Sequence, residues 1–287
     1  MRVPPNAAFM FPGQGSPAQD AAGLIAAHCA DLHERACELI GCDPVARAAD
    51  STRFAQPAVF LASLAGWRSL GEPAASALAF AGHSLGELSA LTAAGALAAE
   101  DGLALVVLRG RLMGEACEQS PGGMLAVAAA IEDAVPLARE FGLHVANRNS
   151  PRQTVLAGAG GAVSRAAAAA RERGIRALDL GVAGAFHSPA MAPAQSAFLG
   201  ALRSVSVGQP CAPVLSGLTA RPFADVAGEL TRALCAPVRW REAMLALERL
   251  GARAFVDVGP GRVLAGLARR NLPDCVALDL EEPLAVG

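Results

Sequence analysis

The chain has no tyrosine, and only 17% of its 287 residues are charged. It also lacks an excess of either sign, with a formal net charge of -2. That balance excludes the basic surface that nucleic-acid binding needs. No apolar run is long enough to span a bilayer, because charges, Gly or Pro interrupt each one first. Met1 to Asn6 carry no signal-peptide pattern and lead straight into a candidate strand. The seven cysteines are scattered and include no C-x-x-C pair. Neither a zinc site nor a disulfide framework is expected, so the cysteines are read as the reduced thiols of a cytoplasmic protein. What is present is 53% hydrophobic and rich in Ala and Gly, which fits a core-rich α/β protein. The length accommodates one large domain, or one domain carrying a smaller insert.

The most informative stretch is Gly82-His83-Ser84-Leu85-Gly86. A small apolar run, Ala77 to Ala81, reads as a buried strand before it. A helix-friendly run, Glu87 to Ala98, follows. Strand, G-x-S-x-G and helix together make the setting of a nucleophile elbow. Side chains two residues either side of the serine would collide with the neighbouring elements, so both positions call for glycine. The alternative is a Gly-rich turn with a serine N-cap.

Earlier, strand Ala7 to Phe11 ends at Pro12-Gly13-Gln14-Gly15-Ser16, which reads either as an anion cradle or as an ordinary strand-to-helix turn. It is no P-loop, because no Gly-Lys-Ser/Thr follows. One or two helices are expected over Ala18 to Ile40. Another is expected over Ala58 to Leu70, opened by Ala55-Gln56-Pro57. After the elbow helix comes a helix over Ala99 to Ala116. Arg109 and Arg111 lie about 200° apart on it, so at most one faces a site. Arg109 follows Val106, Val107 and Leu108 and is the better candidate for burial.

A breaker cluster, Ser120-Pro121-Gly122-Gly123, then marks a change of pattern. Beyond it the chain reads strand Met124 to Ile131, helix Glu132 to Phe141, strand Leu143 to Asn147 and strand Thr154 to Ala157. Helix Gly161 to Arg173 and strand Arg176 to Gly181 complete a ferredoxin-like β-α-β-β-α-β order. Gly158-Ala159-Gly160-Gly161 resembles a dinucleotide fingerprint only in part, since Val163 stands where a third glycine is needed. Strand-turn-helix units resume afterwards: strand Ala212 to Ser216, helix Ala224 to Ala233, a helix from Trp240 to Leu250, strand Ala254 to Val258 and helix Val263 to Arg270. A short strand and a tail, Val276 to Gly287, close the chain. The expected class is α/β, with a parallel sheet in the large part. Residues 1–119 and 185–287 are expected to form the large domain, and 120–184 the insert.

A serine nucleophile needs a base that titrates near neutrality, which points to histidine. Of the five histidines, His28 and His33 are expected on the surface of an early helix, and His144 lies in the insert. His83 sits beside the serine and should point to the other side of the turn. His187 lies in the loop Gly184-Ala185-Phe186-His187-Ser188-Pro189 and is the candidate base.

Taken together these stretches resemble one family, the malonyl-CoA:acyl-carrier-protein transacylases and the related acyltransferase domains of polyketide synthases. The resemblance rests on Phe11-Pro12-Gly13-Gln14-Gly15-Ser16, Gln56-Pro57-Ala58, Gly82-His83-Ser84-Leu85-Gly86-Glu87 and Arg109-Gly110-Arg111-Leu112-Met113. It continues in Ala146-Asn147-Arg148-Asn149-Ser150-Pro151, Phe186-His187-Ser188-Pro189-Ala190-Met191, Pro237-Val238-Arg239-Trp240 and Val258-Gly259-Pro260-Gly261-Arg262-Val263-Leu264. The order matches, and the stretches cover almost the whole chain.

The resemblance implies an α/β-hydrolase-like domain with a ferredoxin-like insert. It implies that Ser84 is acylated and that His187 is its base, then the acid for the leaving thiol. The backbone N–H groups of Gln14 and Leu85 would form an oxyanion hole. Arg109 would clamp the free carboxylate of a malonyl group. Gln56, His83, Asn147 and Phe186 would line the pocket, with Phe186 crowding the α-methyl of a methylmalonyl group by about 1–3 kcal/mol. A backbone carbonyl near Ala233 would orient the histidine, where relatives often carry Gln at that position. Pro17 departs from a frequent Gln.

No metal or bound cofactor is implied. The partners would be malonyl-CoA and an acyl carrier protein, with Arg173, Arg176, Arg269 and Arg270 as candidates for meeting an acidic carrier helix. The pathway stays open between fatty-acid synthesis, polyketide synthesis and the loading of a malonate decarboxylase. An editing hydrolase of acyl carriers is the alternative activity, and a non-catalytic carrier-docking module is a third reading.

Overall fold

The computed structural model describes residues 3–71 and 73–280. The first part of the chain runs β1 (Ala7–Phe11), α1 (Ala22–His28), α2 (Ala30–Ile40), α3 (Thr52–Ser69), β2 (Ala77–Gly82), α4 (Gly86–Ala93) and α5 (Ala99–Gln119). The middle runs β3 (Gly122–Val127), α6 (Ile131–Phe141), β4 (His144–Ser150), β5 (Gln153–Ala159), α7 (Gly160–Glu172) and β6 (Ala177–Asp179). The last part runs α8 (Ala192–Ser204), β7 (Val214–Leu215), α9 (Val226–Ala233), α10 (Trp240–Arg249), β8 (Ala254–Asp257), α11 (Val263–Asn271) and β9 (Val276–Asp279).

Two sheets result. The first has the order β7-β2-β1-β8-β9, and all its pairings are parallel. Every residue of β1 is buried. Such a strand, apolar on both faces, suits the middle of a sheet covered by helices on both sides. One face packs Phe9, Phe11 and Phe80 against Trp67 of α3, with Phe9 and Trp67 centroids 5.0 Å apart. The other packs Ala8, Met10 and Phe255 against Trp240, Met244 and Leu264. From β1 the chain moves outward through β2 to β7, then returns to β8 on the opposite side. The loops after β1 and β2 therefore open where the winding reverses, the place where such sheets leave a crevice.

The second sheet is antiparallel with the order β4-β5-β3-β6, the ferredoxin-like arrangement. Its helices α6 and α7 bury Leu137, Ala138, Val163 and Ala166 against Leu125, Val127 and Leu156. The two chain crossings into and out of this sheet meet at a bridge between Pro121 and Gly184. The return crossing delivers the loop that holds His187.

Several boundaries differ from the sequence expectations. Helix α3 begins at Thr52, six residues before the expected start, and contains Pro57. Pro57 is the sixth residue of the helix and has no N–H to give the Arg53 carbonyl, so one hydrogen bond of the ladder is lost there. Helix α4 ends at Ala93, because Gly95 takes a left-handed turn (φ 76°). The Gly122-Gly123 pair, expected as a breaker, lies inside β3, and Ile131 opens α6. Strand β6 is only three residues long. His33 is not a free surface residue: it is half-buried, with its ring 2.9 Å from Asp43. The expected tail beyond Leu280 lies outside the described residues. No helix among the described residues is long and apolar enough to cross a membrane.

Candidate active site

Strand β2 ends in the tight turn that the glycine spacing demanded. A Cβ at Gly82 would lie 2.0 Å from the Gly86 carbonyl carbon, and one at Gly86 would lie 1.9 Å from the Phe11 oxygen. Ser84 is held between them at φ 55°. His187 across the cleft also has a positive φ, 59°. Left-handed backbone is costly for such residues and persists only where the surroundings enforce it.

These two residues meet. His187 Nε2 lies 2.8 Å from Ser84 Oγ, and His187 Nδ1 lies 2.8 Å from the Ala233 carbonyl and 3.2 Å from that of Ala236. Carbonyls only accept, so Nδ1 carries the proton and Nε2 is left to accept from the serine. A backbone carbonyl thus takes the orienting place that an acid fills in a triad. Burial first, then the charge on Arg109, pushes the imidazole pKa down to about 3. The imidazole is therefore neutral, with Nε2 able to accept a proton, throughout the physiological range.

Arg109, on α5, is 5% exposed. Its Nη2 donates to Ser84 Oγ at 3.1 Å and its Nη1 to Gln56 Oε1 at 2.7 Å. Gly110 lets α5 come this close to α3, since a Cβ there would lie 3.0 Å from the Thr52 oxygen. Desolvation lowers the arginine pKa to about 10, partly offset by the buried carboxylate of Glu87, so the guanidinium stays charged. No carboxylate among the described residues forms an ion pair with it. Arg111 turns away, paired at 3.9 Å with Glu115 on the exposed face.

Gln14, Gln56, His83, Ser84, Leu85, Arg109, Asn147, Phe186 and His187 all line one cavity of about 490 Å³. Leu85 immediately precedes α4. The N–H groups of Gly86 and Glu87 are spent on the carbonyls of His83 and Ser84, whereas no hydrogen bond among the described residues uses that of Leu85. His83 bonds elsewhere: its ring nitrogen Nε2 is 2.9 Å from Asn149 Oδ1, and it rests on Trp240 at 5.4 Å. The sequence reading missed other walls of the cavity, including Met113, Met124, Asn149, Val155 and Val182. Asn149 stood in a quoted motif without a role of its own. The apolar walls carry no chemical signal in sequence, since they resemble any core residue.

Of the four candidate docking arginines, Arg270 alone reaches the rim of this cavity. Arg173 pairs with Glu140 at 2.7 Å, and Arg269 donates to the Ala277 carbonyl at 2.7 Å. All seven cysteines are free. Away from the cavity, His33, Cys37 and Asp43 bring donor atoms within 4.8 Å of one another, and the His33–Asp43 bond accounts for that grouping.

In chemical terms the cavity joins a serine hydroxyl, a neutral imidazole that can accept its proton and a buried cation within hydrogen-bond reach of the same hydroxyl. It suits attack on a carbonyl carbon whose acyl group ends in a carboxylate.

The chain matches the family model described as "Acyl transferase domain" over residues 35–281. It is 35% identical to the malonyl CoA-acyl carrier protein transacylase of Haemophilus influenzae, covering 96% of this chain and 95% of that protein. It is 37% identical to the polyketide biosynthesis protein ThaF of Burkholderia thailandensis over 93% of this chain, but spans only 24% of that longer protein. The crystal structure of malonyl-CoA:acyl carrier protein transacylase (FabD) from Xanthomonas oryzae pv. oryzae superposes with a TM-score of 0.87 at 33% identity, covering 98% of this chain and 96% of that one.

Proposed function

Since the chain belongs to the acyl transferase domain family, we propose that it moves a malonyl group from malonyl-CoA to the phosphopantetheine thiol of an acyl carrier protein. The observation that carries this reading is the buried, charged Arg109, which forms no ion pair with a carboxylate among the described residues and donates to Ser84 Oγ at 3.1 Å. A malonyl group esterified to Ser84 brings the missing carboxylate. An acetyl group does not, and leaves a desolvated cation at a cost of about 2–5 kcal/mol.

Ser84 Oγ attacks the thioester carbonyl while His187 Nε2 takes its proton. The negative oxygen forms against the backbone N–H groups of Leu85 and Gln14. The tetrahedral intermediate collapses, the C–S bond breaks, and His187 returns the proton to the CoA thiolate. The carrier thiol then attacks the malonyl ester by the same path in reverse. Phe186 and the apolar walls limit access of water, which competes with that thiol. We assign 1–119 and 185–287 to the catalytic domain and 120–184 to the insert that closes the cavity from the other side. The free thiols fit a cytoplasmic enzyme.

The test is intact-mass spectrometry of the protein mixed with malonyl-CoA or acetyl-CoA, followed by a phosphopantetheinyl carrier protein. A malonyl adduct on Ser84 that passes to the carrier is expected. An adduct lost to water, or formed equally from acetyl-CoA, would overturn the reading in favour of an editing hydrolase.

A further inference from the structure

A hydrogen-bond chain of a single polarity runs from the buried arginine to the loop after β1. Arg109 Nη1 donates to Gln56 Oε1 at 2.7 Å, Gln56 Nε2 donates to Thr52 Oγ at 2.9 Å, and Thr52 Oγ donates to Gln14 Oε1 at 2.7 Å. Thr52 and Gln56 are one turn apart on α3 and share a face. Both are buried, at 7% and 1% exposure. The direction is forced from one end. Arginine has only donors, so Gln56 must turn its carbonyl to Arg109 and its amide nitrogen to Thr52. The threonine hydroxyl, having accepted that bond, spends its own proton on Gln14. A hydroxyl is the smallest group that both accepts and donates at this point. The chain begins on a positive charge in a dry interior, where each bond polarises the next.

We infer that Thr52 is a positioning residue that couples the carboxylate-binding arginine to the loop carrying Gln14, and so favours acyl groups that bear a carboxylate. This rests on the malonyl-transfer reading above. In the free protein Nη2 of Arg109 sits on Ser84 Oγ. An acyl carboxylate takes that group over, while Nη1 keeps its bond to Gln56. The carboxylate then fixes the plane of the guanidinium. Through Gln56 and Thr52 that plane holds the side chain of Gln14, the residue whose backbone N–H the mechanism above assigns to the oxyanion. Acetyl gives the arginine nothing to hold, and the relay is not tightened.

Thr52→Val keeps the side-chain shape and removes both bonds of the hydroxyl. Ser84 acylation is to be followed by rapid-quench intact-mass spectrometry over a range of malonyl-CoA and acetyl-CoA concentrations. The maximal malonylation rate is expected to fall about tenfold or more. The half-saturating malonyl-CoA concentration should move less than about threefold, because Arg109 still binds the carboxylate. Acetylation should change less than about threefold, and Thr52→Ser should restore the malonyl rate. Equal losses for both acyl groups, no loss at all, or failure of Thr52→Ser to rescue would each overturn the relay. Should Thr52→Val unfold, Thr52→Ala removes the same hydroxyl: the same selective loss supports the relay, and equal losses for both acyl groups or a wild-type rate refute it. Wild-type protein that takes no malonyl group would be a different failure, refuting the transfer reading and the relay with it.

Discussion

The two sheets contribute unlike things to one cavity. The parallel sheet supplies polar atoms from strand ends and helix starts: Gln14 after β1, Ser84 after β2, and Arg109 from α5 packed on α3. The antiparallel sheet supplies walls, apolar at Met124, Ala126 and Val155 and uncharged polar at Asn147, Asn149 and Gln153. The difference follows from geometry. Parallel strands leave all their carboxyl ends on one side, where loops and helix N-termini collect backbone N–H groups and turns. An antiparallel sheet alternates its ends and offers a broad face instead. The titratable groups of the lining thus come from the part built on the parallel sheet, and none comes from the antiparallel strands.

That division can be broken from either side. The largest effect is expected from Ser84→Ala, which should lower malonyl transfer by about 10⁴-fold or more while the urea unfolding midpoint stays within error. An unchanged rate would mean the chemistry lies elsewhere. Arg109→Ala should lower the malonyl-to-acetyl preference at least about 30-fold, the equivalent of about 2 kcal/mol. Competition between the two CoA esters measures that ratio, and an unmoved ratio would leave the cation without a role. Phe186→Ser should admit methylmalonyl-CoA, narrowing the discrimination by about 10-fold or more. The same competition assay with methylmalonyl-CoA reads it.

A pH profile sharpens the comparison further. A base at about 3 in the free protein is neutral above that value, so kcat/KM should stay flat from pH 8 down to about 5. An ordinary histidine of pKa about 6.5 would retain only about 3% of the rate at pH 5. Once a malonyl carboxylate pairs with Arg109, the positive field on His187 weakens and its pKa rises. The acid limb of kcat should therefore lie at higher pH than that of kcat/KM, and the reverse order would refute the coupling. The smallest effect on turnover is expected in the second sheet. Leu125→Ala, in its fully buried core, should cost about 2–5 kcal/mol in urea unfolding yet leave kcat per folded molecule unchanged. A matching loss of kcat would show that this sheet does more than frame the cavity.

The local code of the elbow was legible because sterics act over a few residues. Gly82 and Gly86 had to lack side chains whatever the rest of the chain did, and the turn places Ser84 as their spacing required. The β-α-β-β-α-β order of the second sheet was legible for a similar reason, since alternating periodicities and short turns mark its elements. Helical angle said that Arg109 and Arg111 could not both face a site, and the apolar run before Arg109 singled it out. The Ser84–His187 contact spans over a hundred residues, and its distance, its polarity and the depressed pKa come from burial and from a carbonyl at Ala233 that carries no side-chain signature. The start of α3 at Thr52 was hidden because Pro57 looked like a first turn. With it went the Arg109–Gln56–Thr52–Gln14 chain, whose members mean little singly. Residue type settled which groups had the chemistry to react, because that is a property of single side chains and short turns. Tertiary structure decided which of them touch, which way each hydrogen bond runs and what charge each bears, because those depend on packing and on the water that packing excludes.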